Sequence, residues 1–284
     1  MNNLYTAVLL TVFNRRDITI QGLKSLYSSL SKMPETYVFD IYMVDDGCND
    51  GTSEAVFQQF PDVHIIKGSG HLYWCRGMNL AWHSATNNKE YDFYLWFNDD
   101  SLLYDESILH LFEIERKFNN QVIACGAFED ENHAISYGVK DKHTRLIPIG
   151  SEQDVYYMNG NLVLIPRSVF SSVGYLDEIF THGQGDYDYG LRALKKGFKI
   201  IPSEKYVGMA SRHDKESRVY FEPGIPLCKR FNLLYSIKNS PIPIFKFHLR
   251  HRGLVFATYK FIRINIATLF PSFYHYLRRE KKGK

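Results

Sequence analysis

The amino-acid sequence predicts an α/β fold with a mostly parallel sheet flanked by helices, followed by a basic, helical C-terminal appendage. Three observations predict it. Short apolar runs alternate with segments of helical period as far as residue 202, polar clusters collect where the runs stop, and the composition changes beyond residue 228. The 284 residues are 45% hydrophobic, 23% charged and 15% aromatic, which excludes a disordered, collagen-like or coiled-coil chain.

The elements follow in order. Residues 5–13 form an apolar run that reads as a first strand. It is not read as a signal peptide, because no basic segment precedes it and Asn14-Arg15-Arg16-Asp17 stands where a cleavage site would lie. Ile18, Ile20, Leu23, Leu26, Tyr27 and Leu30 then recur at close to helical period over residues 17–30. Residues 38–44 are a second buried strand ending in Asp45-Asp46-Gly47, residues 52–60 a second helix, and residues 63–66 a third strand. Gly68 and Gly70 mark a bend before a helix at 78–85, and residues 92–97 are a strand ending in Asn98-Asp99-Asp100.

Beyond that point residues 107–118 read as a helix and 122–128 as a strand, whereas 129–154 read as a polar, irregular or hairpin region. Residues 155–166 resume as one strand with Asn159-Gly160-Asn161 inside it. Short helices at 167–173 and 186–196 follow, the second closed by Gly197, and residues 199–202 form a last short strand. Cys48, Cys75, Cys125 and Cys228 are widely spaced with no CxxC pair, so neither a disulfide framework nor a zinc ribbon is expected and a reducing cytoplasm fits.

In an alternating β/α chain, ligands gather at the carboxyl ends of the strands. Two acidic clusters, Asp45-Asp46 and Asn98-Asp99-Asp100, end the second and fourth strands, and carboxylates are suitable ligands for a Mg²⁺ or Mn²⁺ that bridges a diphosphate. Asp, Asn and Gly also favour turns and helix caps, which alone accounts for either cluster taken singly.

Taken together, the ordered motifs resemble family 2 glycosyltransferases with the GT-A fold, over about residues 4–213. The motifs are Thr11-Val12-Phe13-Asn14-Arg15, Val44-Asp45-Asp46-Gly47 through Thr52, Asn98-Asp99-Asp100, and Gly183-Gln184-Gly185-Asp186-Tyr187-Asp188. The resemblance implies an inverting, metal-dependent transferase that moves a sugar from a nucleotide-diphosphate donor to a saccharide or lipid-linked acceptor. Asp46 is expected at the base, with Thr11, Asn14, Arg15 and the phosphate-facing Arg76 also binding nucleotide. Asp100 is expected to hold Mn²⁺ or Mg²⁺ with support from Asp99 and His213. Asp186 is expected to be the base that deprotonates the acceptor, with Asp188 as the competing assignment. Trp74, Asn159, Asn161 and Asp188 are expected on the sugar and acceptor side.

Two departures stand out. Asn98 replaces the first acid of the family's D-x-D, and Gly185 replaces the glutamate of its Glu-Asp pair. They keep open a non-catalytic sugar-binding or assembly subunit on the same fold. A sugar nucleotidyltransferase is a further alternative, although residues 11–17 lack the Gly-rich loop that such an enzyme needs. The expected partition is a catalytic domain at 1–221, with a nucleotide-binding part at 1–100 and an acceptor part at 101–221, and a tail at 222–284.

The tail differs in charge from the rest of the chain. From Lys229 onward 13 Lys/Arg stand against one acid, Glu280, within a protein of net charge +3. Such blocks suggest nucleic acid or an anionic membrane. No Walker-type loop, zinc-finger spacing or RNA-binding aromatic signature is present, which disfavours nucleic acid. The longest tail run free of Lys/Arg, residues 264–277, contains Pro271 and is shorter than the ~20 residues of a spanning helix. Lys246, Arg250, Arg252, Lys260 and Arg263 fall within about 160° on a continuous helix. A peripheral position on the inner face of the membrane, in surface polysaccharide synthesis, is therefore expected, with an oligomer interface as the alternative use of the tail.

Overall fold

The computed structural model describes residues 3–211, 219–272 and 274. The chain divides into two compact units, one of Met1–Glu178 with Gly185–Arg212, the other of Ile179–Gln184 with His213–Lys284.

The first unit is a three-layer α/β structure. In chain order it contains β1 (Leu4–Val12), α1 (Arg16–Leu30), β2 (Tyr37–Asp45), α2 (Thr52–Gln59), β3 (His64–Lys67), α3 (Tyr73–Asn88), β4 (Phe93–Phe97), β5 (Leu102–Leu103) and α4 (Ser107–Lys117). Then come β6 (Val122–Glu129), β7 (Ile135–Tyr137), β8 (Val139–Lys140), β9 (Tyr157–Met158), β10 (Leu162–Pro166), α5 (Arg167–Val173), α6 (Gly185–Lys195) and β11 (Lys199–Met209). Among the described residues the main sheet has the order β3-β2-β1-β4-β10-β6-β11-β5, with β7 beside β6. The pairs β3-β2, β2-β1, β1-β4 and β6-β11 are parallel, while β10 is antiparallel to both β4 and β6.

Alternation along the central strands explains the layers. Val8, Leu10 and Val12 of β1 and Phe93, Leu95 and Phe97 of β4 point to one face, where they pack with Leu23 and Leu26 of α1 and Ile108, Leu111 and Phe112 of α4. Tyr94 and Trp96 point to the other face and meet Trp82 of α3, with ring centroids 5.3 and 5.6 Å away. Trp82 also contacts Phe170 of α5 and Tyr189 of α6. Because both faces are covered, β1 and β4 read as unbroken apolar runs.

Three expectations change. Residues 155–166 are not one strand: β9 pairs with β8 in a separate two-stranded sheet, and β10 joins the main sheet after Asn159-Gly160-Asn161 carries the chain across. The helix expected at 78–85 begins at Tyr73. The short strand at 199–202 continues to Met209, with register shifts between Pro202 and Tyr206 and between Tyr206 and Gly208. Region 129–154, expected to be irregular or a hairpin, is both: β7 returns antiparallel to β6, and β8 and a bridge from Lys140 to Arg145 stand in otherwise irregular chain.

The described C-terminal part of the second unit contains a 3₁₀ turn at Val219–Phe221, then α7 (Leu227–Leu234), α8 (Pro241–Arg252) and α9 (Leu254–Leu269). Its core joins Tyr220, Phe221, Leu234 and Ala267, with Ile264 and Tyr274 packed against them. Gly253, at φ +84°, separates α8 from α9 and allows Phe245 to meet Phe261 at 5.8 Å. The 244–270 segment is thus two helices, not the single one assumed for its charge arc. Among the described residues no helix is long and apolar enough to cross a membrane.

Candidate active site

β2 and β3 lie on one side of β1 and β4 on the other, so the chain reverses direction across the sheet between β1 and β4. Open α/β sheets bind ligands outside the strand carboxyl ends at such a point. The loop after β1 and the turn after β4 meet there through Arg15. Its guanidinium donates to Asp99 Oδ1 at 2.5 Å and to Asp100 Oδ2 at 2.9 Å. Thr19 Oγ1 donates to Asp99 Oδ2 at 2.7 Å, and Asn98 Nδ2 donates to Asp100 Oδ1 at 2.7 Å.

These contacts separate the roles of the two acids. Asp99 is fully buried; burial pushes its carboxyl up to about 6 despite Arg15 and Thr19, and the neighbouring Asp100 charge adds to the rise. Asp100 keeps 13% of its side-chain surface open and is the carboxylate of this turn that can face a ligand. A Cβ on Gly22 of α1 would lie 2.2 Å from the Asp99 carbonyl oxygen, so the glycine lets α1 sit directly on the acidic turn.

The end of β2 is built differently. Asp45 accepts from Gly47 and Cys48 N–H, from Ser53 Oγ and from Lys67 Nζ. Burial alone would raise its carboxyl, but the Lys67, Ser53 and Cys48 contacts outweigh it and hold the group at about 2. Asp46 accepts three backbone N–H groups, from Gly70 at 2.8 Å, Leu72 at 2.9 Å and Tyr73 at 3.0 Å. It therefore fixes the loop that opens α3. Asn14 accepts from Asn49 N–H at 2.8 Å and ties the β1 loop to the same segment. Asn14 and Tyr73 have φ of 49° and 58°, left-handed backbone that is uncommon outside glycine and clusters at ligand sites.

A test follows for Asp46. Asp46→Ala leaves three N–H donors without their acceptor, at a cost of about 2 kcal/mol or more. Thermal unfolding is expected to shift down by roughly 4–8 °C, together with weaker nucleotide binding by calorimetry. An unchanged unfolding temperature would show that the loop holds without it.

Because β10 runs antiparallel to β4, its first residue lies at the carboxyl end of β4, with Leu162 opposite Phe97. The preceding Asn159-Gly160-Asn161 therefore borders the crevice. Asn161 accepts from Asn98 N–H through its carbonyl at 2.8 Å, and its buried amide donates to Ser101 Oγ at 3.3 Å. Gly160 N–H donates to Asp186 Oδ2 at 3.2 Å, while Tyr187 N–H donates to Asp186 Oδ1 at 2.8 Å. Asp186 stands in the first turn of α6. Burial raises its carboxyl to about 6, opposed by those two N–H groups and by Lys140. Lys140 Nζ donates to Tyr187 Oη at 2.7 Å, and Tyr157 stacks on Tyr187 at 4.6 Å.

Trp74 packs on this segment, since a Cβ on Gly160 would fall 2.4 Å from its ring. Asp188, two residues after Asp186, is fully buried and accepts from Arg192 Nε at 2.8 Å. Arg192 is held in turn by the carbonyls of Val173 and Tyr175. The pair closes the packing of α6 and is not presented to the crevice.

A family model described as "Glycosyl transferase family 2" matches residues 7–180, more than half of the chain. The chain is a member of glycosyl transferase family 2. The low-salt glycan biosynthesis hexosyltransferase Agl10 of Haloferax volcanii is 23% identical to this glycosyltransferase over 191 residues, 63% of this chain and 60% of Agl10. The chain thus matches under two thirds of that relative's length. Among solved structures, mannosyltransferase PcManGT from Pyrobaculum calidifontis, in complex with GDP-Man and Mn²⁺, superposes with a TM-score of 0.55 at 13% identity, covering 92% of this chain and 74% of that one. S. aureus TarS 1-349 superposes with a TM-score of 0.54 at 13% identity, covering 88% and 72%. The expected GT-A fold is present.

In this glycosyltransferase the structure gathers Asn14, Arg15, Asp46, Asp99, Asp100, Trp74, Asn159, Asn161 and Asp186 along the strand ends just described. Thr11 is buried beneath α3, where Gly77 leaves it room: a Cβ there would lie 2.2 Å from Thr11 Oγ1. Arg76 Nε donates to the Glu178 carbonyl at 2.8 Å, which anchors its guanidinium. His213 lies outside the described residues. Among the described residues, no three His, Cys, Asp or Glu side chains group as a metal site. Sequence reasoning named Asp45 within the first acidic cluster and missed Thr19 and Lys140; nothing in the weakly patterned 129–154 region marks Lys140.

Proposed function

We propose that this glycosyltransferase inverts the anomeric centre of a sugar, transferring it from a nucleoside-diphosphate donor to a hydroxyl of a saccharide or lipid-linked acceptor. The observation that carries the reading is the Asn159-Gly160-Asn161 segment, which binds the turn of Asp100 at one end and the carboxylate of Asp186 at the other. A leaving-group site and a base thereby share one crevice.

In the reaction, the Asp186 carboxylate takes the proton of the acceptor hydroxyl. The acceptor oxygen bonds to the anomeric carbon from the face opposite the diphosphate, whose bond to that carbon breaks with the electron pair leaving on phosphate oxygen. One displacement inverts the centre. The N-terminus of α6 favours a charged Asp186.

The donor set suits Mn²⁺ or Mg²⁺. Asp100 offers hard carboxylate oxygens, each already using one lone pair on Arg15 or Asn98, and such cations take one or two carboxylates plus substrate phosphates. Asp100 would hold the cation, with Asp99 positioning the turn and His213 as a further ligand. Bound there, the cation would neutralise charge on the departing diphosphate. Asp46, Asn14, Arg15 and Thr11 would frame the nucleotide, Arg76 would face phosphate, and Trp74, Asn159 and Asn161 would line the sugar side. The PcManGT complex with GDP-Man and Mn²⁺ supports a donor of this kind.

The basic helices would bring the enzyme to the inner face of the membrane, where a lipid-linked acceptor for a surface polysaccharide is presented. Asn98 and Gly185 favour one rival, a non-catalytic subunit on the same fold. Thermal stabilisation by a panel of nucleotide sugars, with and without Mn²⁺, separates the two when joined to a transfer assay and NMR of the product anomer. A selective donor, transfer and inversion are expected; donor binding without transfer to any acceptor in the panel would leave the non-catalytic subunit.

A further inference from the structure

Helix α9 carries two apolar faces. One is used inside the second unit, where Ala257, Ile264 and Ala267 pack. The other is exposed: Val255 is 87% accessible, Tyr259 54%, Ile262 49%, Ile266 49%, Leu269 40% and Phe270 56%. At ~100° per residue these six fall within an arc of about 100° that no buried residue of the helix enters. A surface helix of a water-soluble unit normally turns charged residues outward. Here the outward stripe is the apolar one, with exposed Arg263 at its edge.

Charge identifies what covers it. Over the described residues 219–272, eight Lys/Arg stand against one acid, Glu222. A second copy of this unit placed on the stripe would set bases against bases, whereas anionic lipid headgroups neutralise them. The 16-residue helix is about 24 Å long, short of the ~30 Å hydrocarbon core, so it suits the interface plane and not a span. Tyr259 has the amphipathic ring that membrane interfaces favour.

We propose that α9 lies in the surface of an anionic bilayer with Val255, Tyr259, Ile262, Ile266, Leu269 and Phe270 inserted among the acyl chains and Arg263, at the edge of the stripe, at the headgroups. The assignment rests on the peripheral-membrane part of the reading above and names the face that makes the contact. Apolar insertion and electrostatic attraction add in such helices. Salt removes only the second, since screening shortens to about 3 Å at 1 M.

The test is co-sedimentation of the full chain with vesicles of phosphatidylcholine alone or mixed equally with phosphatidylglycerol, at low and high salt. The full chain is expected to bind the mixed vesicles and to be partly released by salt. Ile262→Ser with Ile266→Ser, both half-exposed and so expected to lower the unfolding temperature only modestly, is expected to weaken binding tenfold or more. Tyr259→Trp is expected to gain fluorescence quenching by brominated lipid over the background of Trp74, Trp82 and Trp96. Absence of full-chain binding overturns the peripheral reading itself. Binding that the Ile262/Ile266 variant leaves unchanged overturns the insertion of α9 and leaves attraction by the basic residues standing. A concentration-dependent dimer in sedimentation velocity, lost in that variant while vesicle binding persists, assigns the stripe to a second copy.

Discussion

Asp186→Asn is expected to lower turnover by roughly 10²–10⁴ while leaving donor affinity nearly unchanged, because the amide keeps the shape of the carboxylate and cannot accept the proton. The pH dependence gives a second readout. Burial raises the Asp186 carboxyl to about 6, and only its ionised form is a base. In the wild type, kcat/KM should therefore climb about tenfold per pH unit below that value and level above it. The limb should vanish in Asp186→Asn.

Asp188→Asn is expected to behave otherwise. It leaves Arg192 facing an amide inside the unit, and breaking a buried pair costs about 3–5 kcal/mol, so stability falls and the acid limb stays. A folded Asp188→Asn that loses the limb, beside an active Asp186→Asn, would place the base two residues later. Retention of configuration in the product would reject the single displacement whichever carboxylate serves.

The two acids also show what the sequence can and cannot carry. In the motif Gly185-Asp186-Tyr187-Asp188 both lie in the first turn of α6, and resemblance alone prefers Asp186. The choice becomes physical only through residues far away in the chain: Gly160, 26 positions earlier, supplies the N–H for Asp186, while Arg192 consumes Asp188. The parallel half of the sheet was legible because β1 and β4 are buried on both faces and announce themselves as apolar runs. The break between β9 and β10 was not. Asn159-Gly160-Asn161 sits between apolar neighbours on either side, so local pattern reads through it, and the reason for the break is the distant Asn98–Ser101 turn to which Asn161 binds.

Arg15 shows the same limit. The resemblance implies a nucleotide contact for Arg15; its guanidinium also has a planar fork suited to two carboxylates, and the fold places Asp99 and Asp100 within its reach. It joins the β1 loop to the β4 turn. Asp46 likewise acts on the protein's own backbone at Gly70, Leu72 and Tyr73 and holds the loop that opens α3.

Asp100→Ala should abolish the dependence on divalent cation along with most turnover, by roughly 10² or more. Asp99 cannot substitute, because its side chain is sealed from the crevice. Asn98 cannot either, since an amide oxygen ligates a hard cation without contributing negative charge. Removing Asp100 also frees one arm of the Arg15 fork while the other stays on Asp99, so the turn should keep its fold and the unfolding temperature should change little. The direct measurement is the thermal shift given by a nucleoside diphosphate with and without Mn²⁺. In the wild type the cation should enlarge the shift; in Asp100→Ala the nucleotide alone and the nucleotide with Mn²⁺ should give the same smaller one. If Asp100→Ala instead transfers sugar at the wild-type rate in the presence of a chelator, the leaving diphosphate is not stabilised through Asp100. The Arg15 guanidinium, a fixed positive charge at the same strand ends, then becomes the group to replace next.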